Sequence, residues 1–224
     1  MNRRVFLGML PAAAWAQSGP AHRVEITLER LEGSAWRAVP PGLVLERDDR
    51  VRFRFRSNFD GYLYVMNRGT SGSYTLLFPR DETGRDNNIS AAREYLIPAT
   101  QAYFRIAGPP GHDVVYWVMS PVAMGDGRRQ EYVPLPPPPA SPPPPENLMP
   151  RCDESMLRAR SLCIDSSAGP RQPDASEPLP ENLAGLPGVR SRELVIMRRA
   201  NQTVLSSPSP IDGPVIYEFR LAHR

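Results

Sequence analysis

The sequence predicts an all-β fold: an antiparallel β-sandwich, immunoglobulin-like, with a long proline-rich and largely disordered insertion before its C-terminal strands. Three observations predict it. Apolar and polar residues alternate in short runs between residues 22 and 119. Gly, Pro, Asp and Asn clusters separate those runs at the spacing of sandwiches or barrels. Ten prolines then crowd into residues 134–150.

The chain opens with Arg3-Arg4 ahead of an apolar run that is too short to span a bilayer and is interrupted by Pro11. Ala14 and Ala16 are small residues at the two positions a signal peptidase inspects, which makes residues 1–16 a leader and Gln17 the new N-terminus. The Arg-Arg-x-Phe-Leu string resembles a twin-arginine signal, although Gly8 stands where such signals often carry lysine. An ordinary secretory signal with an arginine-rich start is the alternative. Either way the protein is expected in the periplasm or outside the cell, with no transmembrane segment in the mature chain.

The leader changes the charge argument. The chain has 27 Lys+Arg residues, all arginine, against 24 acids. Losing Arg3 and Arg4 leaves 25 arginines, a balance that carries no nucleic-acid-binding signature. Cys152 and Cys163 are the two cysteines; in an exported chain they are expected to pair as a disulfide. The three histidines, His22, His112 and His223, are scattered without metal-ligand spacing, so no metal and no cofactor is expected.

The first strand is read at residues 24–29, where Val24, Ile26 and Leu28 alternate with Glu25, Thr27 and Glu29. After the Pro40-Pro41-Gly42 break, Val51-Arg52-Phe53-Arg54-Phe55-Arg56 alternates without a fault. Asn58-Phe59-Asp60-Gly61 then reads as a positive-φ turn closing a hairpin with Tyr62-Leu63-Tyr64-Val65-Met66. Residues 74–78, 94–97, 102–107 and 114–119 are further strands. These make one domain, residues 22–122.

Residues 123–190 read as a proline-rich excursion that contains the cysteine pair and one helical turn at 154–162. Residues 193–198 and 215–222 restore strand character. The last of these is expected to rejoin the sandwich beside the strand at 24–31, because an isolated hairpin would be marginal.

The succession Val51-Arg52-Phe53, Asp60-Gly61-Tyr62-Leu63-Tyr64-Val65 and Leu76-Leu77-Phe78-Pro79 resembles the bacterial domain of unknown function 4384. Asn87 or Asn88, Ile97-Pro98, Pro109-Pro110-Gly111 and the strand at 114–119 follow in the same order. The resemblance covers residues 43–122. It implies a β-sandwich module appended to varied bacterial proteins and carries over no catalytic residue.

Arg50, Arg52, Arg54 and Arg56 project from one strand face and form a possible binding face for an anionic polymer or partner. The competing reading is a solvated face whose arginines pair with glutamates and cover apolar neighbours. Tyr62, Tyr64, Tyr74, Tyr95, Tyr103, Phe104, Tyr116 and Trp117 would be a stacking platform if exposed, although most should be core or cross-strand pairs. The polar loop at 81–88 lacks the ligand alternation of a calcium loop. No hydrolase, phosphate-loop or dinucleotide motif is present, and His112 reads as a turn residue.

The function expected is a non-catalytic exported module mediating protein interaction in the cell envelope. A carbohydrate- or polyanion-binding module is the alternative, with an unrecognised hydrolase third. The partner would be another envelope protein or a glycan.

Overall fold

The computed structural model describes residues 22–122, 149–173, 194–207 and 213–224. The leader residues Arg3, Arg4, Ala14 and Ala16 and the proline runs lie outside them. The described strands are β1 (His22–Glu32), β2 (Ala35–Val39), β3 (Arg50–Ser57), β4 (Gly61–Arg68), β5 (Tyr74–Phe78), β6 (Asn88–Ile89) and β7 (Glu94–Ile97). There follow β8 (Phe104–Arg105), β9 (Gly111–Ser120), the short helix α1 (Glu154–Arg160), β10 (Gly169–Arg171), β11 (Val195–Arg199), β12 (Gln202–Ser207) and β13 (Val215–His223).

They form two antiparallel sheets packed face to face. The first runs β11-β12-β1-β3-β7, with β2 also on β1 and β8 also on β3. The second runs β10-β13-β9-β4-β5, with β6 also on β4. Alternation decides what each strand contributes. Val24, Ile26 and Leu28 of β1 and Val51, Phe53 and Phe55 of β3 point inward from the first sheet. Leu63 and Val65, Val115 and Trp117, and Tyr217 and Phe219 point inward from the second. Phe53 meets the edges of Trp117 and Phe219, each at a ring-centroid distance of 5.2 Å. Such edge-to-face pairs add about 0.5–1.5 kcal/mol beyond the area they bury.

Three expectations are corrected. First, β3 and β4 are not a hairpin: β3 pairs with β1, β7 and β8, whereas β4 pairs with β9, β5 and β6. Residues 58–60 carry the chain from one sheet to the other, so that Phe53 and Phe55 confront Leu63 and Val65 across the core. Asp60 serves this crossing by accepting a hydrogen bond from the Ala91 N–H at 2.7 Å. Gly61 is needed for a different reason from turn chemistry. A Cβ there would sit 2.5 Å from the Ser120 carbonyl oxygen of β9.

Second, the last strand does not lie beside β1. β13 pairs along nine residues with β9 in the second sheet, and it is β12 that lies beside β1. β9 and β13 are buried on both faces; β9 meets that demand with an unbroken apolar and aromatic run over residues 114–119, whereas β13 interleaves Glu218 and Arg220, which pair at 3.2 Å. Third, His112 is not in a turn but on β9.

Candidate functional site

The outer face of the first sheet is built by register. Arg52 stands directly opposite Glu29, and Arg56 opposite Glu25, across β1 and β3. Arg52 Nε donates to Glu29 at 2.6 Å, and Arg54 donates to the other oxygen of the same carboxylate. Glu29 is thereby almost fully buried beneath two guanidinium groups. Arg56 donates to Glu25 at 2.7 Å, and Arg23 lies 3.3 Å from Glu25. Arg54 also reaches Glu94 of β7 at 3.6 Å.

Guanidinium groups cover the rings at the margins. Arg52 sits 4.4 Å over Trp36, Arg50 4.8 Å over Tyr103 and Arg93 5.0 Å over Tyr95. Each such contact is worth about 0.5–1 kcal/mol where exposed. The possible binding face Arg50, Arg52, Arg54 and Arg56 is therefore a lattice of ion pairs and stacked cations held by cross-strand register. Five arginines, including Arg23, share it with Glu25, Glu29 and Glu94, so the face stays net positive.

The aromatic residues divide. Trp117 is in the core, Tyr95 stacks on Phe55 at 5.3 Å, and Tyr103 is exposed beneath Arg50. Phe104 packs against the core. Tyr62 and Tyr64 of β4 and Tyr116 of β9 share the outer face of the second sheet, where Tyr64 and Tyr74 pack with Tyr116.

The second cluster, in which Asp165 and Ser167 meet His112, went unnoticed in the sequence, although the disulfide beside it was expected. Cys152 and Cys163 are bonded, with their Cα atoms 4.7 Å apart, and they close a loop around α1. Asp153 caps that helix by accepting from the Ser155 and Met156 N–H groups. The loop is tied to the sandwich by Val44 N–H donating to the Cys163 carbonyl at 2.9 Å and Asp165 N–H to the Gly42 carbonyl at 2.8 Å.

Asp165 is the anchor of this loop. Its carboxylate accepts from the Arg151 N–H at 2.9 Å, from the Ser167 N–H at 2.8 Å and from the Ser167 hydroxyl at 2.6 Å. It also lies 3.2 Å from His112 Nε2. Burial acts to raise its pKa, yet the Ser167 hydroxyl, the two backbone donors and His112 together hold it below the usual value.

Asp, His and Ser meet here, but not as a nucleophilic triad. A triad places the carboxylate on one ring nitrogen and the hydroxyl on the other. Asp165 and Ser167 both approach Nε2, the hydroxyl at 3.3 Å. The arrangement orders the loop against β9 and does not prime Ser167 for attack.

Within the described residues no group of three or more His, Cys, Asp or Glu side chains is placed to hold a metal ion, and no helix is long and apolar enough to cross a membrane. A cavity of about 20 Å³ lies between the sheets, lined by Val24, Met119, Leu205, Val215 and Tyr217 among others. That is room for one water molecule. The 81–88 loop is braced by Arg85 on Asp81 and Arg80 on Glu82.

Residues 44–123 match the model of a family described as a domain of unknown function, DUF4384. No curated protein and no solved structure matches the chain. The matched stretch begins after β1 and ends after β9, so the strands that flank β3 on one side and β9 on the other come from outside it.

Proposed function

We propose that this chain is an exported, non-catalytic β-sandwich module that binds another protein of the bacterial cell envelope through the outer face of its first sheet. One observation carries the reading: the guanidinium groups of Arg50, Arg52, Arg54 and Arg56 are fixed in place, by glutamates beneath them or by rings beside them, on one sheet face. Pre-ordered arginines next to Trp and Tyr lose little side-chain freedom on docking, and these are the residue types that dominate binding energy at protein interfaces. The Arg3-Arg4 leader pattern and the Cys152–Cys163 disulfide support export.

The test is capture of envelope proteins by the mature chain and by an Arg50→Glu/Arg56→Glu variant, which spares the buried Glu29 pairing. Loss of the specific partner from the variant is expected. An unchanged captured set would remove this face from consideration.

A second reading, an anionic glycan as ligand, is favoured by the excess of arginines over glutamates on the face. It differs in salt response: glycan binding would weaken steeply and log-linearly with ionic strength, whereas a protein contact centred on Trp36 and Tyr103 would weaken modestly.

A further inference from the structure

The two margins of the first sheet differ. β11 is the outermost strand beside β12, and among the described residues no strand pairs with its other side. In an antiparallel ladder alternate residues turn their N–H and C=O groups away from the neighbour, so an open edge is a template for one more strand. At the opposite margin β7 is four residues long and β8 two, and charges there are paired, Glu94 with Arg54 and Asp48 with Arg105. β11 is five residues long and has no such closure.

Register sorts its side chains. Val195, Met197 and Arg199 share the outer face with Val204 and Glu25, while Ile196 turns inward and packs against the core. Val195 and Met197 are 54% and 42% exposed, two large apolar side chains on one face of an open rim. Arg198 lies on the inner side and donates to the Ala168 carbonyl at 3.1 Å, a neutral acceptor that leaves its charge unbalanced. Residues 194–207 contain two arginines and no acid. Among the described residues neither Arg198 nor Arg199 has a carboxylate partner.

We infer that β11 is a docking edge for an extended acidic segment of another protein, added to the first sheet as a further antiparallel strand. Three features choose the occupant. The open ladder takes a backbone, as in recognition by strand addition. Val195 and Met197 call for apolar side chains at alternate positions, because residues opposite each other in adjoining strands share a face. Arg199 and Arg198 call for carboxylates at two successive positions, one on each face. Strand pairs in this sheet are antiparallel, so the segment reads from its N-terminus acid, acid, apolar, any residue, apolar. A second copy of β11 fits poorly, since it would gather four arginines at one seam with no acid among them. The edge is separate from the arginines of β3, with β12 and β1 between.

The experiment titrates the mature chain into a fluorescein-labelled peptide, Gly-Glu-Glu-Val-Thr-Ile-Gly, and follows anisotropy. Saturable binding is expected, weakened about tenfold or more by Arg199→Glu, which reverses an exposed charge. N-methylation separates strand addition from contact through side chains alone. Methyl groups on one alternate set of peptide amides should abolish binding. On the other set they should leave it within about twofold, because only one edge of the added strand meets β11. No binding, or equal effects of the two sets, would overturn the inference. A dimer in sedimentation that Met197→Arg dissolves would overturn it too, by giving the edge to a second copy. The Arg50→Glu/Arg56→Glu variant should take the peptide as the parent does, so that failure of the arginine face and failure of this edge are told apart.

Discussion

Arg52 donates through Nε to Glu29 at 2.6 Å, and the two residues stand directly opposite each other across β3 and β1. Glu29 is buried while its arginine partners keep contact with solvent: the Arg52 and Arg54 side chains are 19% and 40% exposed. Removing the carboxylate leaves two like charges facing each other without the group between them. Glu29→Gln should therefore cost about 1–2 kcal/mol, below the range for a wholly buried pair because the arginines can rehydrate. Arg56→Ala, at an exposed pair, should cost less than about 1 kcal/mol. Urea midpoints at constant m-value compare the two, and equal costs would contradict the assignment.

Gly61 yields a prediction independent of charge. Its backbone needs no positive φ, but an added Cβ would lie 2.5 Å from the Ser120 carbonyl oxygen. Neither β4 nor β9 can shift without disturbing Leu63 and Trp117, both fully buried. Gly61→Ala should destabilise by about 1–3 kcal/mol. A flexible turn glycine would instead tolerate alanine at a few tenths of a kcal/mol, so one denaturation curve separates the two roles.

The same glycine shows what was legible in the sequence. Alternation in residues 50–57 gave away a strand with one face in the core and one in solvent, because β3 has that environment. Alternation is silent on which strand is the neighbour. A chain that turns back within its sheet and one that crosses to the facing sheet show the same pattern and the same Asp-Gly. The C-terminal strand was misplaced for a related reason. β12 interleaves Thr203 and Ser207 with Val204 and Leu205, which blurs its period, so the partner of β1 went unseen and β13 was assigned its place. The loop anchor was illegible outright. His112 and Asp165 are 53 residues apart, with no motif spacing to join them.

Asp165 makes the loop's attachment pH-dependent. Its folded-state pKa lies below the ordinary 3.8, because the Ser167 hydroxyl, the Arg151 and Ser167 N–H groups and His112 outweigh the burial that opposes them. A depressed carboxyl contributes stability that is present above the unfolded value and lost as pH falls through the folded one. Asp165→Asn lacks that contribution and turns an amide toward backbone donors. It should be less stable than the parent by about 1–2 kcal/mol at neutral pH, and the gap should narrow below pH 3.8. A gap unchanged between pH 7 and pH 3 would mean that the carboxylate's charge is not what holds the loop.

Tyr217 tests the core between the sheets. Its ring stacks on Trp117 with centroids 5.9 Å apart and lines the small cavity, yet its buried hydroxyl has no hydrogen-bond partner among the described residues. A buried hydroxyl without a partner costs the desolvation of the group and returns nothing. Tyr217→Phe keeps the stack and removes that cost, so the variant should match the parent or exceed it by up to about 1 kcal/mol at neutral pH. Burial also pushes the phenol well above its ordinary 10.0. The unfolded chain therefore ionises first, and stability linked to Tyr217 is present below pH 10 and lost as pH rises beyond it. Phenylalanine has no such loss, so the advantage of Tyr217→Phe should widen between neutral pH and the alkaline range. Urea midpoints at both pH values decide the matter: a variant less stable than the parent at neutral pH would show that the hydroxyl is bonded after all.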